Sequence, residues 1–216
     1  YLYQCLLYII KEKLLSSIFG KFYNYIIYNK YIIYNKYRIM IKIKKPIFIN
    51  EKTKYIFIGM PGSGKSTFMK KLLLKGISGV DVDFLINNNI EEFSKMATMP
   101  DFEEKEHIAF KNAMFSNYKV ISTGGSVPCN IKNRLLLKDK KNVVIWFDVN
   151  VEELNKRVGG MEGCIKRGVC FGKHAKNLEE LYTYRFNFYE ECSHIKINNS
   201  QNKQEIILNY LFNLII

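Results

Sequence analysis

The sequence predicts an α/β protein, a three-layer sandwich with a central parallel five-stranded sheet and helices on both faces. Three observations predict it. Short, almost continuously apolar runs recur along the chain, as strands do when both of their faces are covered. Longer segments with helical spacing lie between those runs. A chain of 216 residues with 48% hydrophobic positions can also bury one sizeable core, which favours a single globular unit.

In order, the expected strands are residues 54–58, 79–82, 119–122, 143–147 and 194–197. The expected helices are residues 64–74, 102–116, 130–137, 151–158, 178–191 and 204–214. In such a sheet the ligand sits at the carboxyl ends of the strands, so the residues that follow each strand are the ones to search for chemistry.

After the first strand comes Gly59-Met60-Pro61-Gly62-Ser63-Gly64-Lys65-Ser66-Thr67, which fits G-x-x-x-x-G-K-[ST] between a strand and a helix. The glycines allow a tight turn that aims backbone N–H groups at phosphate oxygens, and the following helix presents its positive end. Gly59, Pro61, Gly62, Ser63, Gly64, Lys65, Ser66 and Thr67 are therefore assigned to the nucleotide, with Lys65 reaching the β- and γ-phosphates of ATP and Ser66 a ligand of Mg²⁺. An N-K-x-D string, which GTPases use to read the base, does not occur. Val143-Val144-Ile145-Trp146-Phe147-Asp148 resembles the acidic strand of processive ATPases until Val149 takes the glutamate position, so Asp148 is read as a strand-end residue.

Asp81 and Asp83 follow on the second strand, where alternation would point both side chains to one face. Beside a phosphate cradle, Asp81 would hold the metal and its water, and Asp83 would bind or deprotonate an acceptor hydroxyl.

At this point the residues resemble the shikimate kinase family, from about Lys54 to Ile197. The resemblance rests on an ordered set: the cradle, Asp81/Asp83, Phe102 with Glu106, Ser122-Thr123-Gly124-Gly125-Ser126, Arg167, and Arg185 with Tyr189. It implies a P-loop kinase fold with a lid loop over residues 159–176, and phosphorylation of the 3-hydroxyl of shikimate in aromatic amino-acid biosynthesis. It also implies roles for residues: Asp83 contacts the substrate hydroxyls, the Gly124, Gly125 and Ser126 turn forms a second substrate wall, Arg185 grips the substrate carboxylate, and Arg167 is the lid arginine over the ATP phosphates. Three departures bear on the acceptor. Glu103 stands where the family carries an arginine, Ser126 where it carries a third glycine, and Lys166-Arg167-Gly168-Val169-Cys170-Phe171 replaces its R-P-L-L lid string. A carboxylate at position 103 would repel the carboxylate that an arginine there would bind.

Charge and cysteine content exclude other classes. The formal charge is +13, but residues 51–216 hold 24 basic and 19 acidic side chains, which suits an anionic ligand and calls for no nucleic acid. Five cysteines with no CxxC pair argue against a disulfide or zinc framework and for a reducing cytoplasm. His107, His174 and His194 lack metal spacing, and the aromatic run from Tyr182 to Tyr189 has helical spacing suited to packing.

Residues 1–39 are a low-complexity segment rich in Tyr, Ile, Lys and Asn, with the hexapeptide Tyr-Ile-Ile-Tyr-Asn-Lys repeated in tandem. Lys11, Lys13, Lys21 and Lys30 interrupt any membrane span, and no secretory pattern is evident. The expected division is this segment, standing outside the native protein, and a P-loop domain over 40–216 that starts at Met40. The expected partner is a small hydroxylated acid, with no nucleic acid or membrane, and the chain is expected to be a monomer. Two alternatives stay open: a kinase of another metabolite, such as a gluconate-like acid or a nucleotide, and a non-catalytic nucleotide-binding module.

Overall fold

The computed structural model describes residues 25–27, 31–34, 39–200 and 204–216. Its strands are β1 (Tyr25–Ile27), β2 (Tyr31–Tyr34), β3 (Ile39–Ile43), β4 (Ile47–Ile49), β5 (Lys54–Ile58), β6 (Gly79–Asp81), β7 (Val120–Ser122), β8 (Asn142–Asp148) and β9 (Ile195–Asn198). Its helices are α1 (Lys65–Leu73), α2 (Val82–Ile86), α3 (Ile90–Met96), α4 (Phe102–Phe115), α5 (Ile131–Leu137), α6 (Val151–Val158), α7 (Gly160–Lys166), α8 (Leu178–Cys192) and α9 (Gln204–Ile215). A 3₁₀ turn at Val127–Cys129 precedes α5.

The five predicted strands form the parallel part of the main sheet, in the order β9-β8-β5-β7-β6. The sheet is wider than predicted. β3 adds antiparallel to β9, and β2 adds antiparallel to β3, giving seven strands. A separate antiparallel pair joins β1 to β4. β3 falls outside the predicted strands because its Ile-Met-Ile-Lys-Ile sequence merges with the compositional bias before it.

Both faces of the sheet are covered, and period-two alternation divides the core. From β5, Tyr55 and Phe57 point to the side packed by Phe68 and Leu72 of α1 and by Leu208 and Leu211 of α9. Ile56 and Ile58 point to the other side, against Phe110 of α4 and Leu181 and Tyr189 of α8. β8 repeats the division, with Ile145 and Phe147 on the first side and Val144 and Trp146 on the second. Such double burial explains the unbroken apolar runs of the sequence.

Several helices begin at side-chain caps. Asn89, Asn130, Asn150 and Asn177 each accept a hydrogen bond from a first-turn backbone N–H, which satisfies donors the helix cannot satisfy itself. Glu152 and Glu153, and likewise Glu179 and Glu180, place negative charge at the positive ends of α6 and α8. Among the described residues no helix is long and apolar enough to cross a membrane.

Candidate active site

The phosphate cradle joins β5 to α1 at the carboxyl edge of the parallel strands. Its turn needs glycine at two points. Gly59 has φ 142° and a Cβ there would lie 2.5 Å from the carbonyl oxygen of Phe147; Gly64 has φ 98° and a Cβ there would lie 2.8 Å from Asn199 Nδ2. That Asn199 amide, itself buried, donates to the Ser63 carbonyl at 2.8 Å and braces the loop from the end of β9. Lys65 is buried, and its Nζ donates to the carbonyls of Gly59 at 2.8 Å and Met60 at 2.9 Å. Burial lowers its pKa to about 8, against the opposing pull of Asp83 and Asp81. Pro61, Gly62, Lys65 and Ser66 line a cleft of ≈ 720 Å³, whereas Thr67 is exposed on the first turn of α1 and stands outside the lining.

Behind the cradle runs a chain of oxygens. Ser66 Oγ lies 3.3 Å from Ser122 Oγ at the end of β7, and Ser122 Oγ donates to Asp81 Oδ2 at 3.1 Å. Asp81 Oδ1 in turn accepts from the backbone N–H of Asp83 at 3.1 Å. This last bond corrects the strand reading of the two acids. Asp81 ends β6 and caps α2, so Asp83 lies on the first helical turn and not two places along one strand. Both acids still line the cleft. One carboxylate and one hydroxyl, with water and phosphate oxygens, suit a hard divalent cation such as Mg²⁺. Among the described residues no cluster of three or more His, Cys, Asp or Glu could hold a metal by protein ligands alone.

The cleft is also lined from α2, α4, the turn after β7, and α8. Asp83 is half-buried at its centre, and its Oδ1, shielded from solvent, has no hydrogen-bond partner among the described residues. Burial, with Asp81 and Glu106 nearby, pushes its pKa up to about 7. Arg185 on α8 is buried; its Nη2 donates to the Cys170 carbonyl at 2.8 Å and its Nε has no partner among the described residues. Gly124 and Gly125 admit these side chains. A Cβ on Gly124 would meet Asp83 Oδ1 at 2.7 Å, and one on Gly125 would meet Arg185 Nη1 at 2.7 Å. Tyr189 OH holds the turn by donating to the Gly125 carbonyl at 2.7 Å, and Ser126 also lines the cleft.

The segment predicted as a lid loop is partly helical. α7 occupies Gly160–Lys166, supported by the buried Cys164 and a Glu162–Lys166 pair one turn apart. Arg167 caps its carboxyl end, exposed but on the cleft lining. Glycines at 159, 160 and 163 hid the helix from sequence reading, since glycine is a poor helix former. Asp148 is a strand-end residue as read, held by Tyr182 OH at 2.8 Å and Lys196 Nζ at 3.1 Å. The histidines are likewise occupied: His107 with Asn133, His174 stacked on Tyr184, and His194 with the backbone of Val144. Tyr182, Phe186 and Tyr189 pack in or against the core, as their spacing indicated.

Three site residues escaped assignment from sequence. Glu106, noted only as part of a pattern, is buried on the acceptor wall; Ser122 links Ser66 to Asp81; Asn199 braces the cradle. Ser122 could have been suspected from its place two residues before the Gly-Gly turn. Asn199 carries no local signal.

A parallel sheet with a glycine-rich cradle leading into a helix, a metal-competent oxygen chain and a half-buried acid beside it define a P-loop phosphotransferase. The shikimate kinase family model matches residues 61–215. The chain is 32% identical over 178 residues to a shikimate kinase of Staphylococcus haemolyticus, covering 76% of this chain and 98% of that one. It is 36% identical over 158 residues to one of Clostridium botulinum, covering 70% and 91%. The chain belongs to the shikimate kinase family. Among solved structures, a shikimate kinase from Acinetobacter baumannii in complex with shikimate superposes with a TM-score of 0.61 at 21% identity, covering 76% of this chain and 94% of that one, which supports the fold.

Proposed function

We infer that this chain is an ATP-dependent shikimate kinase, transferring the γ-phosphoryl group of ATP to the 3-hydroxyl of shikimate. One observation carries the reading beyond family membership. Among the described residues, Asp83 Oδ1 and Arg185 Nε, both shielded from solvent and of opposite charge, have no partners of their own, and both side chains line one cleft. Unsatisfied buried groups are costly and are retained where a ligand completes them. A hydroxyl donating to Asp83 and a carboxylate accepting from Arg185 would satisfy both, and shikimate carries both groups.

In this reading the cradle N–H groups and Lys65 bind the phosphates. Ser66 and Asp81 would hold Mg²⁺, which neutralises charge on the β- and γ-phosphates when bound. Asp83 takes the proton from the attacking hydroxyl; a carboxyl held near pKa 7 is suited to that task at neutral pH. Arg167, on the cleft lining, would reach the phosphates, adding positive charge there. The enzyme would act as a cytoplasmic monomer on a small-molecule acceptor.

Coupled ADP release with purified protein tests this. Turnover that requires both shikimate and Mg²⁺ is expected. No turnover above background with shikimate, alongside turnover with a gluconate-like acid or a nucleoside monophosphate, would move the acceptor assignment to the second kinase reading. That reading draws on Glu103, which is exposed on α4 and leaves the acceptor wall without a second guanidinium from that helix. Retention of Lys65, Ser66, Asp81, Asp83 and Arg167 speaks against a binding module that has lost its chemistry.

A further inference from the structure

Two departures from the family pattern, Glu103 and Ser126, meet at one buried side chain. Glu106 is 2% exposed. Among the described residues it has no lysine or arginine within ion-pair distance. Burial raises the Glu106 pKa; the Ser126 hydroxyl and, after it, the Arg185 charge oppose that rise, and Glu103, one turn earlier on its own helix, adds to it. What touches the carboxylate is Ser126, whose hydroxyl donates to Glu106 Oε1 at 2.6 Å. A hydrogen bond to a charged acceptor is among the stronger neutral-donor contacts.

The same oxygen faces the acceptor machinery. A Cβ on Gly124 would lie 2.6 Å from Glu106 Oε1 and 2.7 Å from Asp83 Oδ1, so both acids converge on the backbone of one turn. Position 126, two residues along that turn, carries the hydroxyl that meets Glu106 Oε1.

We propose that Ser126 is a positioning residue for the acceptor: its hydroxyl, the direct hydrogen-bond partner of Glu106, holds that carboxylate beside Asp83, so that the two acids together receive neighbouring hydroxyls of the acceptor. This rests on the kinase reading above and specifies how its acceptor wall is built. Without the hydroxyl, Glu106 is left buried next to Asp83 with Glu103 behind it, and it turns away or takes up a proton. Either outcome removes a hydroxyl acceptor from the wall. The groups acting on Glu106 from the surrounding elements are Asp83 on α2, Glu103 on its own helix, Cys129 in the 3₁₀ turn, Cys170 after α7, and Arg185 and Tyr189 on α8. None of them is bonded to it as Ser126 is.

The test uses Ser126→Ala, Ser126→Thr and the double variant Ser126→Ala with Glu103→Arg. Two readouts are taken: KM values for shikimate and ATP with kcat, and the Glu106 carboxyl titration followed by ¹³C NMR in acceptor-free protein. Ser126→Ala is expected to raise the shikimate KM by about tenfold, the equivalent of one hydrogen bond to a charged group, to leave the ATP KM unchanged, and to move the Glu106 titration upward. Ser126→Thr, which keeps the hydroxyl, restores both. Glu103→Arg in the Ala background recovers the shikimate KM by supplying a cation one turn from Glu106. An unchanged Glu106 titration in Ser126→Ala overturns the proposal, as does an equal rise in both KM values. If the unmodified enzyme does not turn over shikimate, the acceptor reading fails, and the titration alone still decides the role of Ser126.

Discussion

Asp83 illustrates the conflict between stability and chemistry at a single residue. Its burial beside Asp81 and Glu106 holds the carboxyl near pKa 7 against an ordinary value of 3.8. A folded-state pKa above the unfolded one means that the folded protein binds the extra proton. The associated stability is therefore complete at pH values below the ordinary carboxylate range and is lost as pH rises through 7. Asp83→Asn is expected to abolish shikimate-dependent ADP release while sparing ATP binding, and to stabilise the free protein at pH 8 by roughly 1–3 kcal/mol. Urea denaturation beside a coupled assay reads both effects; activity near wild type would remove Asp83 from the mechanism. At this scale the sequence was informative about residue types. Lys65, Ser66, Asp81 and Asp83 stood out as residue types that phosphate chemistry uses, and all four line one cleft. Their geometry was less legible: nothing local announced that the Asp81 side chain would stop the strand by capping a helix on Asp83.

Among the elements, the parallel strands and the long helices follow from periodicity, and the short ones do not. α2, α3 and α7 have five to seven residues each, too few to display a helical period; α2 and α3 contribute to the cleft lining, and Arg167 follows α7 on it. Pairing between β8 and β9 contains a titratable link. His194 donates its backbone N–H to the Val144 carbonyl at 2.8 Å, and its Nδ1 accepts from the Val144 N–H at 3.1 Å. Nδ1 must be unprotonated to accept. Burial, with Lys45 and Lys44 close by, lowers the pKa of His194 to about 4. Since the unfolded chain binds this proton near pH 6.5 and the folded chain resists it, stability should fall as pH drops from about 6.5 to about 4, by up to about 3 kcal/mol. His194→Asn keeps an acceptor without a titration, and should flatten that part of the stability profile. Thermal unfolding at pH 4 to 7 measures it; parallel profiles for the two proteins would show that His194 does not set the slope.

For the whole molecule, the issue is where the working unit begins. The family match starts at residue 61 and the core begins earlier, with Ile41, Ile43 and Ile47 packed under β5 and α9. We propose that residues 1–39 are dispensable and that a chain starting at Met40 retains the fold. It keeps β3 from its second residue and all five parallel strands. The expectation is soluble expression and turnover within about twofold of the full chain, because the described core, from Ile41 onward, is kept whole. An insoluble or inactive product would show that pairing by β1 and β2 is required. Removing the segment also takes away six basic and one acidic side chain, so the shortened protein should elute earlier from a cation-exchange column.

By itself the sequence determined the class of the protein. Apolar periodicity specified a sheet buried on both faces, and the spacing of glycines, lysine and hydroxyl in 59–67 specified phosphate binding, because both signals are local. What only tertiary structure decided is the acceptor side. Glu106, Ser126, Asp83 and Arg185 come from four separate segments, and whether Ser126 bonds Glu106, or Arg185 Nε is left unpaired, depends on how α4 and α8 close over one turn. Asn199 is further still from its target, reaching Ser63 across 136 residues of chain. Burial, hydrogen-bond satisfaction and shifted pKa values arise from neighbours brought together by folding, so no pattern along the chain can encode them one segment at a time.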